Sequence, residues 1–197
     1  MSVTPDPGSD LSETAPGRES TPSQTAGPFV SIGTQWMADG RMVSDGSPGA
    51  VVITGRVFDG DGDAVTDAMI EFWQADGNGH FPPESAPGWS GFARVLTDAE
   101  GRYRLITVRP GPVPAADGVL QAPHIDVSVF ARGLMQRLVT RIYFADQETA
   151  NATDPMLATA TDAQRARLVA TTQANVGVYE FEIRIQGDEE SVFFVPW

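Results

Sequence analysis

His124 and Asp126 stand two residues apart in a chain that carries two histidines and no cysteine. In an extended strand, residues i and i+2 face the same way, so a His-x-His pair there would set two imidazoles on one ion. Here the second position is a carboxylate, and a transition metal would need further ligands from neighbouring strands. The other histidine, His80, lies far upstream in a stretch of Gly, Pro and Asn. The residues therefore predict no complete metal centre built from this chain alone, and a lone strand histidine also fits a satisfied core or interface position. Arg132 is the other residue of chemical interest, because it follows the apolar run 127–131 and precedes Gly133 at a predicted hairpin tip. Its planar fork can take both oxygens of a carboxylate across an interface; a solvated turn arginine is the competing reading.

Other chemistries lack their parts. Asp59, Asp61 and Asp63 imitate the opening of a calcium loop, but Ala64 stands where the sharp turn needs Gly and Ile70 where the loop needs its closing Glu. A solvated turn is the better reading. No Gly-x-Ser-x-Gly occurs, Gly88-Trp89-Ser90-Gly91 has the wrong spacing, and two histidines leave a Ser/His/Asp triad few options. Neither a phosphate-cradling loop nor a dinucleotide fingerprint is present, and parallel βαβ signals that would carry them are missing.

The elements that must position these residues are strands. From Ala50 onward, short runs of strand-forming residues alternate with Gly, Asp and Pro clusters, the pattern of an antiparallel β-sandwich. Strands are predicted near 50–58, 68–74, 91–97, 102–108, 124–131, 136–144 and 178–186. The clusters at 59–62, 98–101 and 132–133 predict hairpin turns. One helix is predicted from about Asp162 to Ala170, capped by Thr161. The C-terminal SVFFVPW is too apolar for a free tail and should pack on the sandwich or on a partner.

A length of 197 residues predicts one domain with extensions. A formal charge of −13 excludes a nucleic-acid partner, which demands a basic surface. The opening residues lack the basic end and apolar run of a secretory signal, and no stretch approaches the roughly 20 apolar residues of a membrane-spanning helix. The cytoplasm is the expected compartment. Residues 1–20 hold almost nothing to bury and predict a disordered tail. From Thr21 to residue 49 the text stays turn-rich but gains Phe29, Val30 and Ile32, which predicts an arm laid over another surface; the folded domain then runs over 50–197.

Six stretches together carry a resemblance: TPSQTAGPF (21–29), ITGRVFDGDGDAVTDAMIEFWQAD (53–76), GRYRLITVRPGPVP (101–114), APHIDVSVFARG (122–133), RIYF (141–144) and EIRIQGDEESVFF (182–194). They resemble the intradiol ring-cleaving dioxygenases, and within that family the alpha-type chains of the protocatechuate-cleaving members. The resemblance implies an all-β intradiol-dioxygenase β-sandwich, with an immunoglobulin- or transthyretin-like two-sheet core, an N-terminal arm and one short helix. Iron-bearing chains of the family hold Fe(III) with two tyrosines and two histidines. At the matching positions this chain has Phe81, Val113, His124 and Asp126, and Gln121 replaces the arginine that precedes the histidine pair. Neither Phe nor Val can supply the anionic oxygen of a tyrosinate. The resemblance thus implies no metal ligand and no catalytic residue on this chain. It implies Fe(III) on a homologous beta chain, an αβ hetero-oligomer, and a pocket for protocatechuate and O2 at the interface. To that pocket this chain would lend Thr25, Gly27 and Pro28 of the arm and Arg132 of the hairpin, the arginine as counter-charge to the substrate carboxylate. A transthyretin-like or carboxypeptidase-regulatory-like binding module is the alternative, since 51–72 and 97–105 fit it equally. A self-sufficient metalloenzyme using His124 and Asp126 would require ligands the sequence does not offer.

Overall fold

The computed structural model describes residues 22–27, 29–35, 38–115 and 118–195, so the expected tail over 1–20 lies outside the described residues. Eleven strands follow in chain order: β1 (Ala50–Phe58), β2 (Met69–Trp73), β3 (Phe92–Leu96), β4 (Arg102–Val108), β5 (Val113–Pro114), β6 (Leu120–Gln121), β7 (His124–Phe130), β8 (Leu138–Phe144), β9 (Val169–Thr172), β10 (Val178–Glu180) and β11 (Ile183–Arg184). Burial alternates along β1 and β3, and along β7 from Ile125 onward. That period of two sends Ile53, Val57, Val95, Ile125 and Val129 into one shared core with Phe72, Leu105 and Ile142.

Nine strands form a single hydrogen-bonded sheet. β4 pairs antiparallel with β1, whose other edge is shared by β10 along its first half and β11 along its second. Then follow β9, β8, β7, β2 and β3. Gly55 marks the change of partner on β1: a Cβ there would lie 1.8 Å from the Phe181 carbonyl oxygen, between β10 and β11. The sheet curls until its two ends, β3 and β4, face each other across a seam. The end of the arm fills that seam, since Asp39 bridges to Val95 on β3 and Arg41 to Ile106 on β4. The Gly40 N–H donates to the Arg94 carbonyl at 2.9 Å, and its own carbonyl accepts from Ile106 N–H at 2.8 Å. The sheet is nearly closed.

Three expectations need correction. The turn at 59–62 closes a short antiparallel bridge of Phe58 with Ala64, but neither it nor the turn at 98–101 joins ladder partners, because β1 pairs with β4 and β2 with β3. Turn chemistry fixes a change of direction, with Asp59 and Asp98 each accepting backbone N–H groups two and four residues on; it does not choose the neighbour. The predicted strand over 178–186 is two strands, broken at Phe181. The predicted helix over 162–170 stops at Leu168, giving α3 (Asp162–Leu168), and its last two positions open β9. Its cap is as expected: Thr161 Oγ1 accepts from Gln164 N–H, and Gln164 Oε1 from Thr161 N–H. Two further short helices, α1 (Phe29–Thr34) and α2 (Glu148–Asn151), are below the length at which sequence alone sustains a helix. The C-terminal stretch packs on its own domain, with Phe193 against the main core and Phe194 against a smaller cluster of Tyr143, Leu157 and Leu168.

Gly40 and Gly46 both take a positive φ, at 66° and 77°. A Cβ on Gly40 would lie 2.3 Å from the Arg104 carbonyl oxygen, whereas one on Gly46 meets nothing within 4 Å. Gly46→Ala is expected to cost about 1 kcal/mol for its backbone conformation alone, and Gly40→Ala about 3 kcal/mol or more, because the seam must open as well. Urea unfolding midpoints of the two variants check the difference.

Candidate functional site

β7 carries two of the four positions that the resemblance matches to iron ligands, His124 and Asp126. His124 opens β7 and is buried, and its Nδ1–H donates to the Ala122 carbonyl at 2.7 Å. That bond leaves only Nε2 with a lone pair. Asp126, one pleat further, sits opposite Arg141 of β8 in the ladder. Arg141 Nε donates to Asp126 Oδ1 at 2.8 Å and its Nη1 donates to Gln121 Oε1 at 2.7 Å. Gln121 in turn pairs with Val113 across the small β5–β6 ladder. Phe81 stacks on Trp73, with ring centroids 5.7 Å apart and planes 10° from parallel, and Trp73 faces Asp126 across the β2–β7 ladder.

This donor set does not fit a ferric ion. Phe81 and Val113 offer no oxygen, and Asp126 is already neutralised by the Arg141 guanidinium. Tyr143, on β8 beside the His124 ring, has its phenol pushed up to about 12 by burial and donates to Asp154 Oδ1 at 3.2 Å. It is a neutral hydrogen-bond donor and no tyrosinate. Asp154 is itself fully buried and accepts from the backbone N–H groups of Ala122, Met156 and Leu157, so it braces the segment entering β7. Among the described residues no three His, Cys, Asp or Glu side chains cluster as metal ligands. Beside this centre lies a cavity of about 570 Å³ lined by Trp73, Phe92, Asp126, Arg137, Arg141 and Phe194 among others. Sequence reasoning passed over Arg141, Asp154 and Trp73. For Arg141 the signal was present: a lone arginine inside an apolar strand calls for a partner across the ladder.

The expected pocket residues lie at the opposite end of β7. Arg132 follows the strand, and eight residues at about 3.3 Å each put it roughly 25 Å from His124. Its side chain is 74% exposed and its Nε donates to Asp67 Oδ2. Gly133 turns the chain at φ 86°, and its N–H donates to Thr25 Oγ1 of the arm at 2.8 Å. The structure thus brings Thr25 to the hairpin tip that carries Arg132. Gly27 is exposed, with nothing within 4 Å of a would-be Cβ, and Pro28 lies outside the described residues. Elsewhere, His80 is the exposed member of a loop organised by buried Asp76. Burial works to raise the Asp76 carboxyl, but backbone donors from His80, Ala86 and Asn78 outweigh it and hold it below its ordinary value.

Burial, and after it the Arg141 charge, lowers the His124 pKa below its ordinary 6.5, against the opposing pull of Asp126. The unfolded chain therefore takes up this proton first as pH falls. Stability is full above the unfolded value and declines as pH drops through it toward the folded value. Urea midpoints measured from about pH 7.5 to about pH 5.5 should fall for the parent protein and fall less steeply for His124→Gln; equal slopes would mean that His124 protonates freely in the fold.

The family model described as "Dioxygenase" matches residues 26–187. The protocatechuate 3,4-dioxygenase alpha chain of Burkholderia cepacia is 44% identical over 195 residues, which cover 88% of this chain and 96% of that one. The beta chain of the enzyme from the same organism is 34% identical over 152 residues, 70% of this chain and 64% of that one. Among solved structures, wild-type catechol 1,2-dioxygenase of Acinetobacter radioresistens aligns with a TM-score of 0.59 at 21% identity, over 80% of this chain and 60% of that one, a likeness of fold. With a family match across most of its length and an alpha-chain relative covered nearly end to end, the chain belongs to the intradiol ring-cleaving dioxygenase family.

Proposed function

We propose that this chain is the alpha subunit of a protocatechuate 3,4-dioxygenase, a hetero-oligomer with a homologous beta chain, which cleaves protocatechuate with O2 to 3-carboxy-cis,cis-muconate. The observation that carries the reading is a separation. The hairpin tip with Arg132 and the docked arm stands one strand length away from the chain's own His124–Asp126 centre, and that centre holds a guanidinium in place of phenolate ligands. A substrate contacted by Arg132 is therefore bound mainly by something other than this chain's own centre. A homologous partner that retains the tyrosine and histidine ligands supplies it, and Fe(III) belongs to that beta chain.

In this arrangement the chain binds, orients and excludes water. Protocatechuate carries a carboxylate on the ring edge away from its hydroxyls. Arg132 receives that carboxylate through a charge-assisted, two-pronged hydrogen bond, and offsets the long-range repulsion expected from a chain of charge −13. Thr25 holds the arm to the hairpin turn, and Gly27 and Pro28, next in sequence, are the arm's proposed contacts in the shared cleft. There a glycine without a side chain and a rigid proline let backbone approach a flat ring at little ordering cost. Orientation is worth much here, since a misplacement of about 1 Å costs on the order of a hundredfold in rate.

The rest of the assignment follows the same line. Residues 21–49 form an arm whose first part reaches the partner, and 50–197 the dioxygenase-like domain, with the curled sheet acting as the two layers of a β-sandwich. Among the described residues no helix is long and apolar enough to cross a membrane, and we place the protein in the cytoplasm as an enzyme of aromatic-compound breakdown through the β-ketoadipate route.

Two measurements test the reading. Iron analysis of the separately expressed chain and of the co-expressed pair should find iron only with the partner, and oxygen uptake with protocatechuate only in the pair. Stoichiometric iron on the isolated chain would overturn the division of roles. In the pair, Arg132→Ala should raise KM for protocatechuate about tenfold or more while changing kcat much less, the loss of one charge-assisted contact; an unchanged KM would remove Arg132 from the pocket.

A further inference from the structure

We infer that Asp67 is a positioning residue for substrate capture: it holds the Arg132 guanidinium so that the edge formed by its two terminal nitrogens faces the substrate carboxylate. This rests on the substrate-binding role proposed above for Arg132.

The arrangement begins in the ladder. β2 pairs with β7 so that Met69 faces Phe130, and two steps further along the same register Asp67 faces Arg132. Directly opposed antiparallel residues stand close enough for their side chains to meet, and here Arg132 Nε donates to Asp67 Oδ2. Asp67 is well anchored for the task. The next residue, Ala68, is fully buried, its N–H donates to Thr97 Oγ1 at 3.0 Å, and its carbonyl accepts from Thr97 N–H at 3.0 Å. On the far side, Gly133 N–H donates to Thr25 Oγ1. The arginine is thus tied at its side chain by the β2 turn and at its following peptide by the arm.

The choice of nitrogen matters. A guanidinium has five N–H donors in a fixed fork, and the Nε contact with Asp67 leaves Nη1 and Nη2 on the opposite edge, the pair that takes both oxygens of a carboxylate. At 74% exposure an untied arginine would sample many rotamers, and a ligand would have to order it on binding. Asp67 carries a competing cost, because its own charge repels the incoming carboxylate. In a solvated position that repulsion is screened, whereas the ordering is not, so positioning outweighs repulsion.

The test is steady-state kinetics on the co-purified pair at low and at high salt, with protocatechuate and with catechol, which lacks the carboxylate. Asp67→Ala should raise KM for protocatechuate about fivefold at both salt concentrations, the scale of one rotamer-rich side chain left for the ligand to immobilise. Asp67→Asn, which keeps an acceptor without the charge, should raise it less. In both, kcat should stay within about twofold and KM for catechol should not move. In an Arg132→Ala background, Asp67→Ala should add nothing. If Arg132→Ala raises KM while Asp67→Ala leaves it unchanged or lowers it, or if the two effects multiply, the inference is wrong and the substrate-binding reading stands. If Arg132→Ala itself leaves KM at the parent value, both fall together.

Discussion

The antiparallel register of β7 against β2 and β8 governs both ends of this molecule. It sets Asp126 against Arg141 and against Trp73 at one end, and runs on to set Arg132 beside Asp67 at the other. Because side chains alternate faces along a strand, a slip of one residue would turn Asp126 and Ser128 inward and expose Ile125, Val127 and Val129. Those three are essentially inaccessible to solvent, so the core holds the register and the register holds the polar pairs. The polar chemistry is thus a consequence of apolar packing, and no ion is needed to organise it.

The Arg141–Asp126 pair also explains how the centre tolerates its residue types. A carboxylate in a half-buried site needs a compensating charge, and the guanidinium supplies it while giving a second donor to Gln121. Arg141 stays charged in spite of burial because Asp126 and Tyr143 together more than offset the desolvation. Burial first, and then the Arg141 charge, disfavour a proton on His124 against the pull of Asp126. Arg141, Asp126 and Gln121 are satisfied by one another, which leaves little for a bound cation to contribute. A buried ion pair of this kind is weak evidence for stability, since two packed apolar residues can serve equally well. What it fixes is the charge state of the centre.

Much of this was legible in the sequence, and the omissions have physical causes. β1, β4, β7 and β8 could be read as runs of strand-forming residues bounded by turn residues, because each is at least seven residues long. β9 was hidden, because Val169–Thr172 continues a helix without a breaker and its strand character comes from pairing with β8 and β10. The break at Phe181 was hidden as well, since it depends on how closely a carbonyl can approach Gly55. That Phe81 and Val113 bring no oxygen, and that a carboxylate stands at Asp126, was readable residue by residue. Arg141 could have been found too, because counting outward from the 132–135 interval between the two predicted strands brings it opposite Asp126. The role of Asp67 could not, because it needs the β2–β7 register, and no local turn signal joins those strands.

The closing of the seam by Asp39, Gly40 and Arg41 bears on how the arm can serve a second chain. A segment that only crossed to a partner would carry the whole ordering cost on association. Here one end is stitched between β3 and β4, and Thr25 is bonded to the hairpin turn, so the stretch between them is held at both sides before any partner arrives. An arm restrained in this way, beside an arginine already tied at Nε, presents a nearly finished half of a cleft. On the division of roles proposed above, that favours completion of the cleft by the partner chain over assembly driven by the substrate.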